Sequence, residues 1–175
     1  MKQRPRILIF TGDGKGKTTA ALGMVLRAAG HGMKVAVVQF IKSDATTGEL
    51  ASAAKLETVR IVQVGLGFAP PAAHPDFPRH RAAAEAGLRL AEQILADGET
   101  ALVVLDEICI AVARGLLAEQ AVIDAVAKAR PDACVVLTGR GATTGLIELA
   151  DTVSDIRCIK HGLSFGRAAQ RGVEM

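Results

Sequence analysis

Short apolar, mostly β-branched runs recur along the chain: RILIF at 6–10, KVAVVQF at 34–40, TVRIVQV at 58–64, ALVVLDE at 101–107, ACVVLTG at 133–139 and a weaker TVSDIRCI at 152–159. Runs of this length and content, separated by glycine-containing segments, predict buried strands. Between them the period changes. Residues 18–29 predict a helix after the first strand; in 79–96, Ala84, Leu88, Ala91 and Leu95 recur at helical spacing; and 119–129 repeats the pattern with Val122, Ala125, Val126 and Ala129. Strands alternating with helices need crossover connections, so the pattern predicts an α/β fold: one domain over residues 1–175, a mostly parallel sheet with helices on both faces. In such sheets ligands bind beyond the carboxyl ends of the strands. That singles out segments 11–17, 41–48, 65–78, 106–107 and 138–145. The four prolines of LGFAPPAAHPDFP, residues 66–78, exclude regular helix or central strand there.

Composition narrows the class. The 175 residues are 50% hydrophobic with a mean hydropathy of +0.30, which suits a chain with a real core. No apolar run approaches the roughly 20 residues of a membrane helix, so no membrane partner is expected. The basic N-terminus is followed by an apolar run that ends at Thr11, short of the roughly 7–15 residues of a signal-peptide core, and a cytoplasmic protein is expected. Cys109, Cys134 and Cys158 lie far apart without CxxC spacing; they suggest neither disulfides nor zinc and read as core thiols. A net charge of +3 without a long basic run does not imply nucleic acid.

The stretch TGDGKGKTT carries the chemistry. Gly12, Gly14 and Gly16 allow backbone amides to approach an anion closely, and Lys15 and Lys17 supply charge. Thr18 can offer its hydroxyl to a magnesium ion. The loop follows a strand and opens a helix, so the positive end of the helix dipole faces the same place. A plain glycine-rich turn would not explain two lysines within it. The strict phosphate-loop pattern begins with a glycine separated by four residues from Gly16-Lys17-Thr18, yet Thr11 stands at that first position and the glycine arrives one residue late. A second element is VVLDEI at 103–108. A carboxylate ending an apolar strand is the usual partner for magnesium opposite a phosphate-loop threonine. Asp106 and Glu107 point to opposite sides if the strand continues, and one of them can instead cap a helix beginning near Ile108.

Taken in order, TGDGKGKTTAALG, VVQFIK at 37–42, GLGF at 65–68, VVLDE at 103–107, RPDACVVLTGRGA at 130–142 and LIELADTVSDI followed by Lys160-His161 resemble the P-loop type of ATP:corrinoid adenosyltransferase, which acts on cob(I)yrinic acid a,c-diamide or cob(I)alamin. The likeness covers nearly the whole chain, and the late glycine is the family's own form. It implies a RecA-like P-loop NTPase fold, a homodimer, and transfer of the 5′-deoxyadenosyl group of ATP to a cob(I) corrinoid with release of triphosphate. By position it implies that Gly12, Asp13, Gly14, Lys15, Gly16, Lys17, Thr18 and Thr19 hold the triphosphate. Thr18 and Glu107 would ligate Mg2+ or Mn2+, and Phe68 would lie at the corrinoid side. Lys15, Lys17 and Arg140 would stabilise the leaving triphosphate, with an exposed turn arginine as the alternative for Arg140. The nucleophile would be reduced cobalt, delivered by an electron donor, so no protein nucleophile is needed.

The chain departs from the family after GF, where a tryptophan-bearing segment is usual: it reads GFAPP, and there is no tryptophan or tyrosine anywhere. Family aromatics there help to exclude the lower axial ligand of cobalt. Phe68 remains; Phe77 reads as loop packing. The arm before the first strand is also short for the family. His31 is expected to end a helix, His74 and His80 to be exposed loop residues, and Lys160 to reach phosphate or a partner subunit. Two other classes fit the loop: a non-catalytic ATP-dependent corrinoid carrier or sensor, and a RecA-like ATPase with another substrate.

Overall fold

The computed structural model describes residues 4–173. In chain order the elements are β1 (Arg6–Thr11), α1 (Lys17–Gly30), β2 (Val35–Gln39), α2 (Gly48–Ala53), β3 (Val59–Gln63), α3 (Phe77–Ala96), β4 (Leu102–Asp106), α4 (Ile108–Ala113), α5 (Glu119–Val126), β5 (Cys134–Thr138), α6 (Thr144–Leu149), β6 (Thr152–Asp155) and a 3-10 turn at Gly162–Phe165. The strands form one six-stranded sheet in the order β3-β2-β4-β5-β1-β6, and every pairing is parallel. This is the α/β arrangement expected, consistent with a RecA-like P-loop fold.

Alternate residues of the central strands feed two cores, because successive side chains on a strand point to opposite faces. Val35, Val37, Leu102, Val104 and Val136 meet Ala21, Val25 and Ala28 of α1. Ala36, Val38, Val103, Leu105, Val135 and Leu137 meet the apolar stripes of α3, α4, α5 and α6. Such strands must be apolar on both sides, which is why their sequences show no alternation. Leu105 and Leu137 are fully buried, and each stabilises the fold by about 1.5–3 kcal/mol relative to exposure.

Three departures from the sequence pattern have physical reasons. Helices α2, α4 and α6 have only six residues each, too few turns for a period to be read. The proline-rich stretch does enter a helix: α3 begins at Phe77, with Pro78 in its first turn, where a missing N–H costs nothing. The last strand stops at Asp155 instead of running to 159, because the chain beyond it turns under the glycine loop, with Ile156 N–H donating to Thr11 O at 2.9 Å and Gly14 N–H to Ile156 O at 2.7 Å. The thiols also divide: Cys109 is buried, Cys134 half-buried, and Cys158 exposed, so it is not a core residue. Phe77, expected to pack within a loop, is instead the first residue of α3 and packs against the main core, and His31 follows the last turn of α1, its backbone N–H bonding Ala28 O. Among the described residues no helix is long and apolar enough to cross a membrane.

Candidate active site

A parallel sheet gathers the carboxyl ends of its strands on one edge, and here that edge holds the polar residues that the core otherwise excludes. Among the described residues the buried polar or charged ones are Lys17, Gln39, Asp106 and Thr138, and all four stand at or just beyond the ends of β1, β2, β4 and β5. Buried polar groups are retained only when hydrogen-bonded, and their concentration at one place marks a site.

The loop between β1 and α1 is shaped from beneath. A Cβ at Gly12, where φ is 94°, would collide with Asp155 Oδ1 and the Ile156 carbonyl; glycine is therefore required at this position, and not one residue earlier, by the close approach of the chain leaving β6. At Gly16, φ is 124° and a Cβ would stand in open space. The helix it precedes has no side-chain cap and no acidic residue in its first turn, so its free N–H groups and positive dipole end open into a cavity. Lys17 Nζ donates to Gly12 O at 2.8 Å and Gly14 O at 2.6 Å. An ammonium has three donors, so one is left for an anion. Burial and, second, the Arg140 charge push the Lys17 amine below its ordinary value, against the pull of Glu107 and Asp13.

Asp106 is the hub of the floor. Its Oδ1 accepts from Thr18 Oγ1 at 2.8 Å and from Thr138 Oγ1 at 2.7 Å; its Oδ2 accepts from Gln39 Nε2 at 3.1 Å, with Lys42 Nζ at 3.8 Å. Gln39 is oriented in turn by Gln63, whose Nε2 donates to Gln39 Oε1 at 3.0 Å. Lys42 pairs with Glu49 at 2.7 Å. The strand does not continue through Glu107. That residue adopts φ 64°, a left-handed conformation that costs an L residue about 1–2 kcal/mol, and its N–H is held by Thr138 Oγ1 at 2.9 Å. Glu107 takes the position before α4 without a side-chain cap bond, so the carboxylate is left for the cavity. Burial first and the Asp106 charge second raise its carboxyl above the ordinary value, opposed by Lys17, Lys42 and Arg140.

The resulting cavity, about 620 Å³, is lined by Gly14, Lys15, Gly16, Lys17, Thr18 and Thr19 from the loop and by Glu107 and Arg140 across from them. These predicted residues are brought together. Gly12 and Asp13 do not line it; Gly12 contributes a carbonyl and a close packing contact, and Asp13 acts on Lys17 by charge. Phe68 is also elsewhere, 83% exposed, with the Arg114 guanidinium 5.3 Å over its ring and Arg114 Nη1 donating to Ala69 O at 2.9 Å. Lys160 lies over the Phe165 ring at 4.8 Å, outside this cavity, while His161 lines it. His74 stays in its loop, accepting from Asp76 N–H at 3.2 Å.

Sequence reasoning missed Gln39, Lys42, Glu49 and Thr138. Gln39 and Thr138 did leave a signal, since each is a polar residue ending an otherwise apolar buried strand; Glu49, on a six-residue helix, left none. The oxygen donors at the cavity, the Thr18 hydroxyl and the Glu107 carboxylate, with the Asp106 carboxylate behind Thr18, suit a hard divalent cation such as Mg2+. No cluster of three His, Cys, Asp or Glu ligands occurs among the described residues.

The sequence also matches known proteins. The chain is 48% identical over 174 residues to a corrinoid adenosyltransferase of Pseudomonas aeruginosa, covering 98% of this chain and 84% of the relative. It is 40% identical over 174 residues to the corrinoid adenosyltransferase CobA of Salmonella typhimurium, covering 99% and 87%, and 38% identical over 172 residues to that of Escherichia coli strain K12, covering 98% and 86%. A family model matches residues 3–175. With its phosphate loop, its acidic strand end and this match along almost its whole length, the chain belongs to the ATP:corrinoid adenosyltransferase BtuR/CobO/CobP family.

Proposed function

We propose that this chain transfers the 5′-deoxyadenosyl group of ATP to the cobalt of a cob(I) corrinoid and releases triphosphate, in the synthesis or salvage of adenosylcobalamin. The observation that carries the reading is the meeting of Lys17, Thr18 and Glu107 at one cavity, with buried Asp106 accepting from the Thr18 hydroxyl, in a chain of this family.

In the reaction the cobalt–carbon bond forms as the C5′–oxygen bond breaks, and the electron pair leaves on the triphosphate. Reduced cobalt is the nucleophile, and a protein one is unnecessary; buried Cys109, its thiol pushed up to about 12, is not poised to act as one. The chain's tasks are alignment and charge. Backbone N–H groups of the loop and first turn of α1 hold the phosphates, and Lys17, Lys15 and Arg140 offset charge that grows on them as the bond breaks. Thr18 and Glu107 would hold Mg2+ or Mn2+, with Asp106 fixing the Thr18 hydroxyl; when bound, the ion neutralises phosphate charge. Phe68, exposed and with the Arg114 guanidinium over its ring, would offer an apolar ring to the corrinoid. The family likeness further supports a homodimer, a cytoplasmic setting, and an electron donor that delivers cob(I).

An anaerobic assay with ATP, magnesium and chemically reduced cob(I)alamin tests the proposal. Appearance of the adenosylated cobalt spectrum with triphosphate is expected. ATP binding with an unchanged cob(I) spectrum would point to a carrier, and ADP with phosphate to an ATPase.

A further inference from the structure

A second cavity, about 530 Å³, lies between the phosphate loop and the chain that follows β6, and Lys15 and His161 line both spaces. Its other charged residues are Arg157, Lys160 and Arg167, and no carboxylate lines it among the described residues. The phosphate-loop cavity differs in sign balance, since Glu49 and Glu107 line it beside the cations. Mixed charge suits a metal–nucleotide complex whose phosphates are already partly neutralised. Arg157 Nε has the exposed Asp155 Oδ2 at 3.7 Å, but that carboxylate stands outside the lining, and Lys15, Lys160, Arg157 and Arg167 together leave an excess of positive charge there, which suits a metal-free polyanion.

The arrangement is anchored. Gly14 N–H donates to Ile156 O at 2.7 Å, and a Cβ at Gly14 would collide with the Arg157 carbonyl, so the segment bearing Arg157 is pressed against the underside of the loop. Arg167 N–H donates to Gly162 O at 3.1 Å, which folds Arg167 back onto the start of the 3-10 turn, and Lys160 lines the same cavity. Lys15 Nζ bonds Val173 O at 2.9 Å and stands where the two cavities meet.

We propose that this cavity is a polyphosphate site that receives inorganic triphosphate as it leaves the phosphate loop, on Arg157, Lys160 and Arg167, with Lys15 bridging the two spaces. The origin of the triphosphate rests on the adenosyl-transfer reading; the site itself does not. Free triphosphate carries more charge than the ester it came from, so cleavage shifts the balance toward the more cationic cavity and clears the loop for the next ATP.

Calorimetric titration of the full chain with inorganic triphosphate, without corrinoid, tests the site. Two binding events are expected. Lys17→Met should remove the loop event and leave the other; Arg157→Ala and Arg167→Ala should each weaken the second event at least about tenfold and leave the loop event. Charge-keeping Arg157→Lys and Arg167→Lys variants should retain it, and Lys160→Met supplies an independent removal should an alanine variant fold poorly. With a non-hydrolysable ATP analogue saturating the loop, one triphosphate should still bind. A single event abolished by Lys17→Met, or complete displacement by the analogue, overturns the proposal. No corrinoid enters the titration, so failure of adenosyl transfer in the anaerobic assay leaves its result untouched.

Discussion

Thr18 and Asp106 stand 88 positions apart in sequence and 2.8 Å apart in space, hydroxyl to carboxylate. The bond ties the phosphate loop to the end of β4 across an intervening strand, β5, which adds Thr138 to the same carboxylate at 2.7 Å. One carboxylate therefore sets three side chains, counting Gln39.

Replacing Asp106 with alanine leaves two hydroxyls and an amide without their acceptor in a buried place. A loss of about 2–4 kcal/mol in urea unfolding is expected, with adenosyl transfer abolished. Unfolding within about 0.5 kcal/mol of the wild type would show that water replaces the network at no cost.

Glu107 sets a pH dependence of stability. Its folded carboxyl titrates above the unfolded value of 4.5, so the native state binds that proton more tightly than the unfolded chain does. Its contribution favours folding below the unfolded value and is lost as pH rises through the raised folded value. Glu107→Gln removes this slope, and its stability relative to the wild type should rise over that window and stay higher at neutral pH. Parallel stability curves from pH 4 to 8 would contradict the assignment.

The loop glycines separate folding from binding. Gly12→Ala drives a methyl into Asp155 and Ile156 and is expected to cost more than about 2 kcal/mol. Gly16→Ala meets nothing in the fold, so it should lose only the roughly 1–3 kcal/mol of backbone strain while blocking phosphate. Thermal melts compared with ATP titration distinguish the two; equal effects on both readouts would refute the division.

Lys17→Met should weaken ATP binding by about one to two orders of magnitude, the worth of a charge-assisted hydrogen bond or two. Its secondary structure should remain intact by circular dichroism. Unchanged ATP affinity would remove Lys17 from the phosphate site.

Phe68 is 83% exposed, so Phe68→Ala should alter stability by no more than about 0.5 kcal/mol. The KM for corrinoid should rise and that for ATP should hold. Equal changes in both would show that Phe68 does not face the corrinoid.

The central strands and the long helices were legible because burial on both faces demands unbroken apolar runs, and because α1, α3 and α5 repeat their apolar positions for two turns or more. The phosphate loop was legible because few purposes other than anion binding call for glycines and lysines at that spacing before a helix. Helices α2, α4 and α6 left no readable period, and Pro78 looked like a barrier because sequence does not reveal whether a proline falls in a first turn or an interior.

By itself the sequence determined the layered α/β class and the place of the phosphate loop, since both depend on short-range periodicity and on residue chemistry within about ten positions. Tertiary structure alone decided the rest. It showed that Asp106 takes the Thr18 hydroxyl while Glu107 turns left-handed toward the cavity, that Gln39 and Thr138 complete the floor, and that the chain after β6 dictates a glycine at position 12. Each of these depends on distant strands being brought side by side at their carboxyl ends, and which strands become neighbours is settled by the packing of the whole sheet, not by any local run of residues.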